Sequence, residues 1–363
     1  MRSDIYRRVI RFSKGAHTLK PIERRDSENS RLIFHSSFND TITEIKKLKI
    51  KLPSNPSDFD MDFNAYNYPQ NGELVSKVEE IGRFQLDPHR GRELCDKNPI
   101  CAYDESINKF QGLEGIAYLT SHSFIVHGSS DFVPVNLLSF YFYTRSEVLS
   151  HDSKHIKYSE DPETDSKKDY ILDRKSLLVE NVPENSVVFI DGPLIGGQMS
   201  EQTIDLNDLL VKKEAVPIFF VKNSMSNLVT DNIKELKGKY NSDMHWAYRY
   251  LREGERTNLF MYVDQTPNSD KAKVFCYLKA FDASPQRIEM DVKAYKKYSD
   301  RIPSLFDLAY YLLLAQGDLK NPQIRSIAIA EKYARATLNL INFVQMMKEL
   351  GITPTMNQER FAW

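Results

Sequence analysis

Two short apolar runs, Pro99-Ile100-Cys101-Ala102-Tyr103 and Val187-Val188-Phe189-Ile190, read as buried strands, and each stops at an acid, Asp104 and Asp191. Between them the pattern alternates. Ile116-Ala117-Tyr118-Leu119 and Ser123-Phe124-Ile125-Val126 predict one strand, and residues 133–144, rich in aromatic and β-branched side chains, predict another. Three successive antiparallel strands fit, the first of them ending at Asp104. The hydrophilic stretch 151–168 contains Asp161-Pro162 and reads as a loop, followed by a helix over 169–181 that Pro183-Glu184-Asn185 ends. After the strand at 187–190 come a helix near 203–213 and the strand Pro217-Ile218-Phe219-Phe220-Val221. Further on, the pattern predicts a helix over 227–240, a hairpin of 259–263 with 274–278, and helices over 305–316 and 324–350. The polar, proline-containing segment 52–70 reads as a loop or linker.

Strand, strand, strand, helix, strand, helix, strand is the order of the ribonuclease H-like fold. The expected class is therefore α/β, a ribonuclease H-like mixed sheet core with an N-terminal arm and a helical C-terminal region. The expected division is 1–98 for the arm, 99–240 for the core, and 241–363 for a hairpin and helices that complete the site. No internal repeat or low-complexity tract interrupts it.

Composition narrows the classes. The 363 residues can bury a substantial core, and 41% hydrophobic with 27% charged residues is ordinary for a globular chain. No apolar stretch approaches the roughly 18 to 20 residues that span a bilayer, and the basic residues 1–14 lack an apolar signal-peptide core, so a cytoplasmic location is expected. Three cysteines, Cys95, Cys101 and Cys276, with no CxxC pair imply neither a disulfide framework nor a zinc ribbon. A net charge of -1 makes any polyanion site a local feature. The clearest basic segment is N-terminal: Arg2, Arg7, Arg8, Arg11, Lys14, Lys20, Arg24 and Arg25 against Asp4 and Glu23, a solvated helix or a contact for DNA or a partner.

In the ribonuclease H-like topology the first and fourth strands are neighbours, so Asp104 and Asp191 are expected to converge at one edge of the sheet. A carboxylate left at the end of a buried strand needs a cation or donors, because desolvating it costs several kcal/mol. Paired acids suit phosphodiester hydrolysis, where two divalent ions roughly 3.5 to 4 Å apart activate water and stabilise the leaving oxygen. An all-oxygen set favours Mg²⁺ or Mn²⁺ over zinc. The bland reading is that either aspartate only caps a turn or the next helix. A third carboxylate is expected from the helix between those strands, where Asp173 and Glu180 share a face two turns apart. Either is equally readable as a solvated helix acid.

At these motifs the chain resembles the NurA nucleases, which act on DNA ends alongside a hexameric HerA-type ATPase. The resemblance rests on Asp104-Glu105-Ser106 followed by Gly115 and a hydrophobic strand, on Phe189-Ile190-Asp191-Gly192-Pro193-Leu194, and on Phe220-Val221-Lys222-Asn223-Ser224-Met225-Ser226. It spans roughly residues 100–334. The family's usual first motif is Asp-Gly-Ser and its second Asp-Gly-Ser-Leu, so Glu105 and Pro193 depart from it while both aspartates remain. Near the C-terminus the family commonly carries Ala-His after a proline-containing turn. The similar stretch here, Asn321-Pro322 followed by Ile329-Ala330-Glu331-Lys332-Tyr333-Ala334, places Glu331 where that histidine would be. The resemblance implies a metal-dependent DNA nuclease with Asp104, Asp191, Asp173 and Glu331 as metal ligands and Mn²⁺ or Mg²⁺ as cofactor. Lys222 would meet charge on the phosphate. It also implies a homodimer whose channel admits DNA, fed by the ATPase. DNA repair and defence against foreign DNA both suit such an activity.

Other patterns lead elsewhere or nowhere. His151 and His155 have i, i+4 spacing in a loop-like context, without the glutamate of a zinc protease. His122 and His127 would face opposite sides of one strand. Gly192 with Gly196-Gly197 is neither a dinucleotide fingerprint nor a P-loop. The main rival from another class is a catalytically weakened scaffold that binds DNA and the ATPase without cutting. A small-molecule α/β enzyme using the same strand ends is the third reading.

Overall fold

The structure, a computed structural model, describes residues 24–25, 29–30, 37–50, 61–63, 66–68, 73–127, 132–150, 155–196, 199–267 and 269–356. The chain divides into two compact units, Met1–Ser54 and Asn55–Trp363. In the first, β1 (Arg24–Arg25) pairs with β2 (Asn29–Ser30), and α1 (Phe38–Lys47) leads to exposed Leu48 and Ile50. Most of the basic N-terminal segment lies outside the described residues, as does His151.

The second unit is built on a sheet of thirteen strands. In chain order its elements are β3 (Tyr66–Tyr68), β4 (Glu73–Lys77), β5 (Arg83–Gln85), α2 (Pro88–Lys97), β6 (Ile100–Gln111), β7 (Ile116–His127), β8 (Phe132–Thr144), α3 (Glu147–Ser150) and β9 (Ile156–Tyr158). Then follow α4 (Pro162–Asn181), β10 (Val187–Asp191), α5 (Ser200–Lys212), β11 (Val216–Val221), α6 (Asp243–Tyr250), β12 (Glu255–Thr257), β13 (Phe260–Asp264), β14 (Ala272–Lys279), β15 (Gln286–Asp291), α7 (Val292–Lys297), α8 (Ile302–Gln316), α9 (Arg325–Asn339) and α10 (Phe343–Glu349).

Strands β8-β7-β6-β10-β11 are neighbours in that order. The β6-β7-β8 meander is antiparallel, β10 runs parallel to β6, and β11 parallel to β10. With α4 and α5 as the crossovers, this is the ribonuclease H-like arrangement. Antiparallel β15 continues it from β11 into a β15-β14-β13-β4-β3 meander. Residues before 99 therefore contribute strands to the same sheet as the C-terminal hairpin: β4 pairs with β13, and β5 with β12.

Alternation along the central strands decides what each face meets. Cys101 and Tyr103 of β6, Val188 and Ile190 of β10 and Phe219 of β11 pack with Leu177 and Leu178 of α4 and with Leu206 and Leu210 of α5. Their neighbours Ile100, Ala102, Val187, Phe189, Ile218 and Phe220 pack on the other side with Leu308 and Leu312 of α8 and Ile327 of α9. Helix α2 lies so close to α8 that a Cβ on Gly91 would sit 2.1 Å from the carbonyl oxygen of Asp307. Only glycine fits there.

Several expectations change at this level. The strand expected to end at Asp104 runs on to Gln111, paired throughout with β7, so Asp104 is a mid-strand residue. The 151–168 loop gives way to helix from Pro162, with Asp161 as its N-cap accepting from the Thr164 amide; proline at the first helical turn forfeits no hydrogen bond. Segment 227–240 forms successive turns rather than a helix, because Asp243 draws the Val229 and Thr230 amides to its carboxylate. Within the 52–70 segment, Tyr66–Tyr68 forms a strand. The long helix over 324–350 breaks at Leu340–Asn342 into α9 and α10, with Asn342 capping the second.

Candidate active site

The same alternation that sorts the core sets the site. Asp104, Asp191 and Lys222 continue the series Ile100-Ala102, Val187-Phe189 and Ile218-Phe220, so all three fall on the face covered by α9. Glu331 comes down to them from α9. The Lys222 ammonium stands 3.3 Å from Asp191 Oδ2, 3.6 Å from Asp104 Oδ2 and 3.5 Å from Glu331 Oε2. Immediately after Asp191 the chain turns at Gly192, whose φ of +95° favours glycine and whose amide donates to the Phe220 carbonyl at 3.0 Å. That turn holds the end of β10 against β11, where Lys222 follows.

Burial dominates the electrostatics. Asp104 is only 4% exposed; burial, together with the negative charge of Asp191, pushes its carboxyl up to about 8, against the pull of Lys222. Burial raises Asp191 too, with Lys222 opposing. For Lys222 burial works against the charge, yet Asp191, Asp104 and Glu331 overcome it and hold the ammonium above its ordinary value. Glu331 is opposed by burial but ends below the usual carboxylate range, through hydrogen bonds from Gln323 and Lys222 and the charge of Arg335.

A raised carboxyl has a consequence for stability. Between its ordinary 3.8 and about 8, Asp104 is protonated in the folded chain and ionised in the unfolded one. The folded state then binds more protons, so this contribution is fully present below about pH 4 and is lost as pH rises through about 8. The melting temperature is expected to fall more from pH 5 to pH 8 in the parent than in Asp104→Asn. Parallel slopes in a thermal scan would contradict the assignment.

The structure brings together four of the five expected residues, Asp104, Asp191, Lys222 and Glu331. Asp173 is not among them. It lies on α4, against the opposite face, where it accepts from the Tyr141 hydroxyl at 2.7 Å and stands 3.9 Å from His122 Nε2. Glu180 accepts from the Ser176 hydroxyl on the same helix. The α4 side chain whose charge reaches Asp191 is Arg174, buried beneath Tyr103 and beside Glu105. A basic residue there was not anticipated, because a helix-face pattern shows which positions are inward but not which of them faces the strand end.

A divalent ion is implied by the acids, and the donors suit one in kind. They are all carboxylate oxygens, and buried Asp104 Oδ2 has no hydrogen-bond partner. They stand about an ångström farther from Lys222 Nζ than the roughly 2.0 to 2.6 Å of a Mg²⁺ or Ca²⁺ shell. Among the described residues no group of three or more acids, histidines or cysteines is placed to hold an ion, and the ammonium occupies the point on which the acids converge.

A β8-β7-β6-β10-β11 sheet with aspartates on its first and fourth ribonuclease H-like strands places the chain in the ribonuclease H-like class of α/β proteins. Within that class it belongs to the NurA family: the NurA domain matches residues 105–335, well over half of the chain, opening one residue after Asp104 and including Asp191, Lys222 and Glu331. No curated protein matches the chain. Among solved structures it is similar to the NurA nuclease from Sulfolobus solfataricus, with 8% identity and a TM-score of 0.44 over 69% of this chain and 85% of that one. It is also similar to an endonuclease V of Ciona intestinalis in complex with DNA (15% identity, TM-score 0.36, 70% of this chain and 96% of that one). A Bacillus subtilis endonuclease V follows at 10% identity and a TM-score of 0.35, over 67% of this chain and 81% of that one.

Proposed function

We propose that this chain is a metal-dependent deoxyribonuclease that hydrolyses phosphodiester bonds at DNA ends and works with a HerA-type hexameric ATPase. The observation that carries this reading is the convergence of Asp104, Asp191 and Glu331 on one cationic point at the sheet face. In this reading residues 99–240 supply the nuclease core, and the C-terminal region completes the site through α9. Asp104, Asp191 and Glu331 would hold Mn²⁺ or Mg²⁺, whose chemistry is Lewis-acid activation of water and of the phosphodiester. Lys222 moves from the carboxylates to the phosphate as the strand enters, where an ammonium offsets charge building on the non-bridging oxygens. Family membership supports DNA as substrate, a homodimer, and the ATPase as the motor that delivers DNA to a chain without a strong positive charge. A cytoplasmic location fits that partnership. Among the described residues no helix is long and apolar enough to cross a membrane.

The position of Lys222 Nζ, and an arginine in place of an acid as the α4 charge that acts on Asp191, favour a second reading: a scaffold that binds DNA and the ATPase without cutting. Linear DNA incubated with the chain and Mn²⁺, and in parallel with EDTA, separates the two. Degradation only with Mn²⁺ is the expected result. Intact DNA bound by the chain in both tubes would favour the scaffold.

A further inference from the structure

The sheet has an open edge along β8. Strand β9 pairs only with Phe142, Tyr143 and Thr144, and among the described residues no strand pairs with residues 132–141 on the side away from β7. Which backbone groups are open follows from the register. The Phe142 amide donates outward to the His155 carbonyl at 2.8 Å, and the Thr144 carbonyl accepts from the Ser159 amide at 2.9 Å. Because pairing with β7 is unbroken, every even-numbered residue of β8 turns its backbone groups the same way. Phe132, Pro134, Asn136, Leu138 and Phe140 make up that edge, with the Phe140 carbonyl 3.2 Å from His155 Nδ1. Pro134 agrees with this parity, since a proline within a sheet sits where its missing N–H faces outward.

Residues 132–141 carry no charge, and an apolar side chain lies open on each face of the strand, Val133 at 58% and Leu138 at 41% exposure. A long apolar edge without charges is a template for another strand. Two features fit it to a second copy of itself. A two-fold contact sets a surface against its own image, which a charged edge would resist, and a net charge of -1 gives two chains little to repel. The open groups run from Phe132 to Phe140 and are therefore centred on Asn136, an exposed residue. Antiparallel pairing about Asn136 uses all of them, with Phe132 opposite Phe140 and Pro134 opposite Leu138, and it ends where His155 and β9 begin. The Leu138 amide still meets the Pro134 carbonyl, so the proline forfeits one bond in each copy.

We infer that the open edge of β8 is the two-fold interface between two copies of this chain, joining their sheets in one antiparallel ladder centred on Asn136. The inference rests on the homodimer of the proposed reading and gives it a surface. It also places the acids. Register carries a single row across the sheet from Asp104 to Ser123 to Asn136, and the two-fold axis of an antiparallel pair stands perpendicular to the sheet. The same row continues into the second copy. Both acid clusters then open on one face of the joined sheet, five strand spacings or about 24 Å apart.

The test uses the full chain and two substitutions at Asn136, whose exposed side chain leaves the fold intact. Sedimentation is expected to show the parent as a dimer. Asn136→Lys sets two ammoniums face to face and is expected to raise the dimer dissociation constant by about tenfold or more, with native circular dichroism. Asn136→Cys brings two thiols together on Cα atoms about 5.5 Å apart, within disulfide reach. Under a mild copper oxidant it is expected to give a dithiothreitol-reversible dimer as the main product, while Leu113→Cys, 74% exposed in the β6-β7 turn, stays single. A dimer that Asn136→Lys leaves unchanged, or Asn136→Cys chains that cross-link no more than Leu113→Cys, overturns the inference and leaves the homodimer standing. A monomeric parent overturns both and hands the edge to some other strand. Mn²⁺-dependent cleavage is read separately: its absence in a chain that dimerises as expected removes the nuclease reading alone.

Discussion

Asp104→Ala and Asp191→Ala are each expected to slow Mn²⁺-dependent degradation of linear DNA by at least about a thousandfold, on the order of 4 kcal/mol of transition-state stabilisation. The size follows from the donor set. Three carboxylates surround Lys222 Nζ, two of them from strands that the sheet holds rigidly side by side, so removing either aspartate leaves an ion with half of its rigid ligation. Loss of activity by unfolding is separable. Asp104→Ala removes a carboxyl that burial disfavours in its charged form, and Lys222 keeps Asp191 and Glu331 as partners. The variant should therefore melt no lower than the parent at pH 8 while failing to cut. Rates within a factor of a few of the parent, in chains with native circular dichroism, would exclude Asp104 and Asp191 from the chemistry.

Glu289→Gln is expected to cost about 3 to 5 kcal/mol of folding stability, the largest stability effect anticipated for a single position in the sheet. Glu289 is fully buried and answers Lys273, Arg287 and the Leu194 amide at 2.8, 2.7 and 2.9 Å. Glutamine keeps the volume but strands two buried cations without a counter-charge. The denaturant midpoint should fall with little change in slope, whereas Lys273→Met should leave it nearly where it was. A midpoint equal to the parent's would mean that water reaches the pair. Because Leu194 follows Asp191 by three residues, the loosened amide is also expected to blur the Asp191-Gly192 turn and reduce cutting.

The nuclease face of the fold was legible because its signals are local and of period two. Short apolar runs gave β10 and β11, long alternating ones gave β7 and β8, and the order of elements gave the ribonuclease H-like arrangement. Asp104, Asp191 and Lys222 are all readable as one-face residues once the strands are registered. What escaped was decided at a distance. Glu105 to Gln111 lie beyond the acid at which the apolar run stops, yet pairing with the whole of β7 carries β6 through them. Residues 227–240 have helical spacing, but Asp243, buried among them, takes the amides that a helix would have used internally. β15 was hidden because its buried side includes Arg287, Glu289 and Asp291, charges that read as surface until Lys273 and the serines are placed opposite. Asp173 was expected at the site from its place on the helix between the two strands, and the strand register put the acids on the other face.

The third carboxylate reaches the cluster from α9, a hundred and forty residues after Asp191. A growing polypeptide that has already laid down β6, β10 and β11 still lacks Glu331, so the cluster is completed only once α9 follows. In the nuclease reading, the capacity to injure nucleic acid would thus mature only after α9 has been made, and products terminated before it would be harmless.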